Sequence, residues 1–325
     1  MTFWPGSWRI PVLLLCLVLA GCSVAQRDRA GGGSLRTPFD VAGQRAVWGQ
    51  PAVRHACATP PALLAGATQQ VDRWWRGRPV EPAAAACALA WLDAAASADR
   101  APGDADARRD LLAGLALAWL KLADAPGLDL AASARVTRWL QRMAATVQPP
   151  FERADARRPE TYDAEAYRTA MAVMAAAVAA QDRRLWDWGL FRARWGLGEV
   201  NEDGALPLEL ARGKGALAAH AYATASLVLA AELAAANGVD LYSEKNSALH
   251  RLARRTLDGL DDQGYFAART GELQDMAAVT PWLGWIEPYF ARFPEQARPA
   301  LLARLRPLVN PALGGDLTLT FGRPL

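Results

Sequence analysis

From Pro61 onward, apolar residues recur at three- and four-residue spacing, a periodicity that predicts helices rather than strands. The expected segments are 61–76, 82–98, 106–124, 129–147, 161–181, 183–195, 216–236, 242–260, 274–291 and 297–308. Most stop near Gly, Pro or Asn-Gly. Gly196 and Asn237-Gly238 are the clearest predicted exits, because glycine enters the left-handed conformation without steric cost. β-Branched runs are scarce outside the last dozen residues, so the class is all-α. Residues 169–180 and 215–231 carry no charge, and helices that are apolar all round lie inside a protein. The second of these approaches transmembrane length, but small residues fill it and His220 interrupts it, which favours a core helix. Buried helices alternating with amphipathic ones suit two concentric layers, an α/α barrel or toroid.

The N-terminus has a different pattern. Arg9 precedes an apolar run from Ile10 to Ala20, the length of a secretory h-region and too short to span a bilayer. It ends Leu19-Ala20-Gly21-Cys22, which resembles a bacterial lipobox with Cys22 as the lipidated thiol. An ordinary signal peptide containing a cysteine is the alternative. Ser23 resembles the residue found in lipoproteins sent to the outer membrane, and several acyl chains on one cysteine make a lasting anchor. The expected organisation is a signal peptide over 1–21, a lipidated flexible tether over 22–55 and a helical domain over 56–325. The tether assignment rests on the polar, glycine-rich and weakly periodic stretch around Gly31-Gly32-Gly33.

Charge adds little, with 36 basic against 33 acidic residues, and gives no nucleic-acid footprint. The histidines are only His55, His220 and His250, so no zinc-ligand spacing exists; neither metal nor cofactor is expected. Cys57 and Cys87 remain beyond the leader. In an oxidising periplasm they form a reasonable disulfide worth about 3 kcal/mol, with two buried thiols as the alternative.

The most informative stretch runs Asn201-Glu202-Asp203-Gly204-Ala205-Leu206-Pro207-Leu208-Glu209-Leu210 and continues through Arg212 to His220 and Tyr222. It resembles the alginate lyase family, polysaccharide lyase family 5, in which an Asp-Gly-x-Leu-Pro-x-Glu-Leu segment precedes a helix bearing a proton-transferring tyrosine. Further similarity lies in Cys87-Ala88-Leu89-Ala90-Trp91-Leu92, in Met174 to Trp188, in Asn237 to Leu241 and in Leu249 to Leu252. Gln274-Asp275-Met276, Trp285-Ile286-Glu287-Pro288 and Leu313-Gly314-Gly315-Asp316-Leu317 complete the series in order. The resemblance implies an incomplete α/α toroid with a cleft across one end. It also implies β-elimination on an acidic polysaccharide, with Tyr222 as catalytic residue.

Several companions of that tyrosine are substituted. Relatives carry a substrate-binding arginine seven residues earlier, on the same helix face; here the position is Gly215. The Asn-Asn-His that neutralises the substrate carboxylate and supplies a base falls on Asp163, Ala164 and Glu165. Acids there also suit a helix N-terminus, as cap and first turn. The lysine-bearing lid loop has no counterpart between Cys57 and Pro61. The candidate substrate contacts are Arg212, Lys214, His220, Glu165 and Trp282, with Trp74, Trp75 and Trp285 as further stacking candidates. His220 stands about 200° round the helix from Tyr222, which argues for a core role instead.

Three readings follow. The first is an outer-membrane lipoprotein facing the periplasm that acts on an acidic or modified exopolysaccharide by β-elimination, with cleavage of ordinary mannuronan weak or lost. The second is a non-catalytic exopolysaccharide-binding or assembly factor working with export machinery. The third is a hydrolase in which Asp163 or Glu165 pairs with Glu202 or Asp203 across a cleft.

Overall fold

The computed structural model describes residues 33–48, 57–60, 62–77, 81–152 and 163–324. The leader, the expected Cys22 lipidation site, residues 23–32 and 49–55 of the expected tether and Ala56 lie outside them. Contacts divide the chain after Ser34; of the first unit only Gly33 and Ser34 are described, and the second is Leu35–Leu325.

The predicted helices form close to their predicted limits. In chain order the observed helices are α1 (Val41–Trp48), α2 (Leu63–Arg76), α3 (Pro82–Ser97), α4 (Ala105–Leu122), α5 (Leu130–Val147), α6 (Pro149–Glu152), α7 (Ala164–Ala180) and α8 (Arg183–Gly198). Then come α9 (Pro207–Leu210), α10 (Ala216–Ala236), α11 (Glu244–Asp261), α12 (Gly264–Thr270), α13 (Met276–Val279), α14 (Ile286–Arg292), α15 (Pro299–Leu305) and α16 (Leu317–Phe321). Of these, α1, α6, α9, α12 and α16 lie outside the predicted segments. The helix expected over 274–291 is broken into α13, a 3-10 turn (Thr280–Trp285) and α14. Pro281 and Pro288 explain the interruption, since neither can donate an i→i−4 bond. β1 (Val309–Asn310) pairs antiparallel with β2 (Gly315–Asp316), Val309 opposite Asp316.

An inner series α2, α4, α7 and α10 packs side by side, and α3, α5, α8 and α11 cover it. The two charge-poor helices take central positions, as their composition requires. Every residue of α7 from Ala164 to Val178 is buried except Glu165, and so is most of α10. The stretch Gly213–Ala236 is long and apolar enough to cross a bilayer, yet 83% of its apolar 18-residue window is buried within this fold. The arc is bridged by the C-terminal segment, whose turn and β2 pack on α2 and α4. Gly314 and Gly315 sit at φ 86° and 106°; a Cβ on Gly315 would land on the Asp72 carboxylate. Asp72 in turn accepts from Asp316 N at 2.8 Å and pairs with the buried Lys121 Nζ at 2.8 Å. The architecture is an incomplete α/α toroid. Cys57 and Cys87 are disulfide-bonded, with Cα atoms 5.4 Å apart.

Two expectations are corrected. The described part of the tether is not a flexible linker: Leu35, Phe39 and Trp48 are buried, and Trp48 packs its ring 4.8 Å from that of Trp74. The backbone of Leu35 is held by the Gln181 amide and that of Arg36 by Asn237. Scattered large aromatics bury enough area to order a segment whose average composition is polar. Gly196 is not a helix exit either. It lies inside α8 against the ring of Tyr167, where a Cβ would sit 2.6 Å from a ring carbon, so close packing of α7 on α8 explains the glycine. Asn237-Gly238 does end α10, with Gly238 at φ 78°.

Candidate functional site

The first two turns of α4, α7 and α10 meet at one end of the inner series. Tyr222 on α10 donates its hydroxyl to Glu165 Oε2 of α7 at 2.8 Å, and Arg109 of α4 forms an ion pair with the same oxygen. The convergence of three helix N-termini favours negative charge, because the positive ends of their dipoles face this region. Asp163 caps α7 by accepting from Glu165 N at 3.1 Å and Ala166 N at 3.4 Å. Glu165 therefore stands at the second position of a capped helix, with its direction set. Its side chain keeps 35% exposure, so solvent and ligands reach it.

Below this pair lies Arg168, fully buried. Its Nε reaches Asp110 at 3.2 Å, Nη2 donates to the Ala312 carbonyl, and Nη1 has no hydrogen-bond partner among the described residues. The guanidinium lies 5.8 Å from the Tyr222 ring centre and 5.6 Å from that of Trp282. Trp282 meets Tyr222 edge to face at 4.5 Å and remains partly exposed. Burial raises the Tyr222 hydroxyl above the ordinary phenol value; Arg168 and Arg109 pull the other way without reversing it. The phenol is a held proton donor and not a resident phenolate.

Of the other predicted contacts, Arg212 is exposed and pairs with Asp163 at 3.3 Å, two residues from Glu165. Lys214 is exposed in the turn before α10. A Cβ on Gly215 would meet nothing closer than Arg212 Cβ at 4.0 Å, so the space of the substituted arginine is open. Expected substrate contacts fail at His220: it is fully buried, its Nε2 accepts from Leu206 N at 3.0 Å, and Nδ1 bonds the Ala216 carbonyl. Burial lowers its pKa to about 4, as suits a neutral core histidine bracing the Leu206-Pro207 turn. Trp74, Trp75 and Trp285 are core residues as well, 2% exposed or less, and cannot stack on a ligand. The carboxylates of the hydrolase reading have other partners, and Glu202 is exposed. Asp203 is engaged by Arg269 at 2.9 Å, whereas Asp163 and Glu165 are occupied at the head of α7.

Arg109 and Arg168 were not singled out in the sequence. One signal was present: each lies at the fifth residue of its helix, early in an element whose N-terminal end disfavours cations, and Arg168 opens a run of buried apolar residues. Glu209, the glutamate of the Leu-Pro-x-Glu-Leu segment, also gains a role. It is buried, accepts from Ala164 N at 2.7 Å and so fixes the head of α7; burial raises its pKa to about 7.

Fold and site together define a polysaccharide-lyase-like toroid with a tyrosine–carboxylate pair at one end. The alginate lyase family model matches residues 106–266. A polysaccharide lyase of Stenotrophomonas maltophilia is 36% identical over 248 residues, spanning 74% of this chain and 72% of that protein. An alginate lyase of Pseudomonas aeruginosa is 34% identical over 274 residues, covering 79% and 72%. The chain belongs to the alginate lyase family. Alginate lyase A1-III from a Sphingomonas species superposes with a TM-score of 0.73 at 23% identity, over 90% of this chain and 98% of that one. A variant of that lyase complexed with a tetrasaccharide gives 0.77, over 91% and 98%.

Proposed function

We propose that this protein cleaves an acidic or modified exopolysaccharide by β-elimination, using Tyr222 and Glu165 as its proton-transferring pair. One contact carries the reading: the Tyr222 hydroxyl donates to Glu165 at 2.8 Å beside a partly exposed tryptophan edge. Glu165 takes the C5 proton, and the C5–H electron pair becomes the C4=C5 double bond. The C4–O4 bond breaks with its electrons on O4, which receives the Tyr222 proton. The pair then resets itself across the same hydrogen bond. A phenol is a weaker acid than a carboxylic acid by about six pKa units, so the proton returns from carboxyl to phenolate spontaneously. Burial raises the Tyr222 hydroxyl further above the ordinary phenol value. No water is consumed, and the products are one saturated and one unsaturated chain end.

Cleavage of ordinary mannuronan is expected to be weak, because Asp163, Ala164 and Gly215 stand where relatives carry amide and guanidinium groups. We place the protein on the periplasmic side of the outer membrane, anchored through Cys22, on the strength of the lipobox-like Leu19-Ala20-Gly21-Cys22. The test is incubation with a panel of uronic-acid polymers while following ultraviolet absorbance of the unsaturated product, with Tyr222→Phe as control. Absorbance that rises with the wild-type chain and not the variant supports the reading; reducing ends without absorbance refute it. A binding or export-assembly role is favoured by one observation, the pairing of Arg109 with an internal carboxylate. It predicts retention of polymer without product, equally in wild type and Tyr222→Phe.

A further inference from the structure

The site already contains a carboxylate where an acidic substrate would seek one. A sugar carboxylate asks for a guanidinium partner and a hydrogen-bond donor. Arg109 and the Tyr222 hydroxyl supply both, and both are given to Glu165. The remaining guanidinium groups are matched in the same way, Arg168 by Asp110 and Arg212 by Asp163. Arg109 also contacts Asp106 at 3.0 Å. Lys214, exposed before α10, makes no ion pair among the described residues. Among the described residues, each guanidinium around Tyr222 thus faces a carboxylate of the protein itself, and Arg109 faces two.

Resting on the eliminase reading, we infer that the sugar unit cleaved here carries its carboxyl group in uncharged form, as an ester or amide of the uronic acid. Elimination drives electron density onto the carboxyl group beside C5 as the proton leaves. A free carboxylate is already negative, so it needs a cation or strong donors to accept that density. An ester carbonyl accepts it as a neutral group. Its alkyl substituent also suits the rim formed by Trp282, which is partly exposed beside Tyr222. The bonds made and broken are those of the eliminase step, and the ester itself stays intact. An anionic unit, by contrast, would face the Glu165 carboxylate at close range, with Arg109 already engaged.

The experiment compares polymannuronate with its methyl ester, matched in chain length, by initial rate of unsaturated-product absorbance. Esterification is expected to raise kcat/KM at least about tenfold. Equal or faster cleavage of the free acid overturns the inference and leaves the eliminase reading standing. Absence of product from either polymer overturns that reading and, with it, this inference. A binding measurement works without turnover. Calorimetry on Glu165→Gln should show the free-acid oligomer bound at least about tenfold more tightly than by wild type, with ester binding changed by less than about threefold. If wild type binds acid and ester alike, and the substitution shifts neither, substrate charge is not selected at Glu165.

Discussion

Glu209→Gln should stabilise the protein at pH 8 and have a much smaller effect at pH 5. Glu209 is 1% exposed, and its folded pKa of about 7 stands well above the ordinary carboxyl value near 4.3. Below about pH 4 both folded and unfolded chains hold this proton, and its full contribution to stability is present. Between about pH 4 and 7 the unfolded chain has released the proton while the folded one retains it, so stability falls as pH rises. Above about pH 7 the loss is complete and amounts to about 3 kcal/mol, the cost of a buried carboxylate. Glutamine keeps the carbonyl that accepts from Ala164 N and cannot ionise. At roughly 2 °C per kcal/mol for a domain of this size, the variant should melt about 4–6 °C above wild type at pH 8. Thermal unfolding followed by circular dichroism from pH 5 to 8.5 is the assay. The difference between the two curves isolates this group from other carboxylates. Parallel curves, or a variant less stable at pH 8, would refute the argument that Glu209 is an uncompensated buried acid.

Lys121→Met should cost about 3–5 kcal/mol in chemical denaturation, because it strands the buried Asp72 carboxylate that also anchors β2; a loss under 1 kcal/mol would show that solvent reaches Asp72. Gly196→Ala should destabilise by about 1–3 kcal/mol, since its methyl group meets the Tyr167 ring, and unchanged stability would mean that α7 and α8 separate freely. Tyr222→Phe should lower kcat on whichever polymer is cleaved by about a hundredfold or more while KM changes little; equal losses in binding would assign the hydroxyl to substrate retention. Replacing both Cys57 and Cys87 by serine should remove about 3 kcal/mol for a loop of 30 residues, readable as a lower denaturation midpoint.

Local pattern alone determined the helical class, the limits of α2–α5, α7, α8, α10 and α11 to within a few residues, and the central position of α7 and α10. These follow from periodicity and from the absence of charge, and neither depends on distant neighbours. The family was legible too, because short ordered motifs carry it, and the disulfide expected of Cys57 and Cys87 in an oxidising compartment is formed. Tertiary structure decided the rest. Only packing could show that Phe39 and Trp48 draw a polar segment into the domain, or that Gly196 answers to Tyr167 across two helices. The site was the least legible part. Arg109, Glu165 and Tyr222 are far apart in sequence, and helix spacing relates residues only within one element. Which helix N-termini converge is a property of the toroid. For that reason the charge balance around the phenol could be read from the folded chain and not from its motifs.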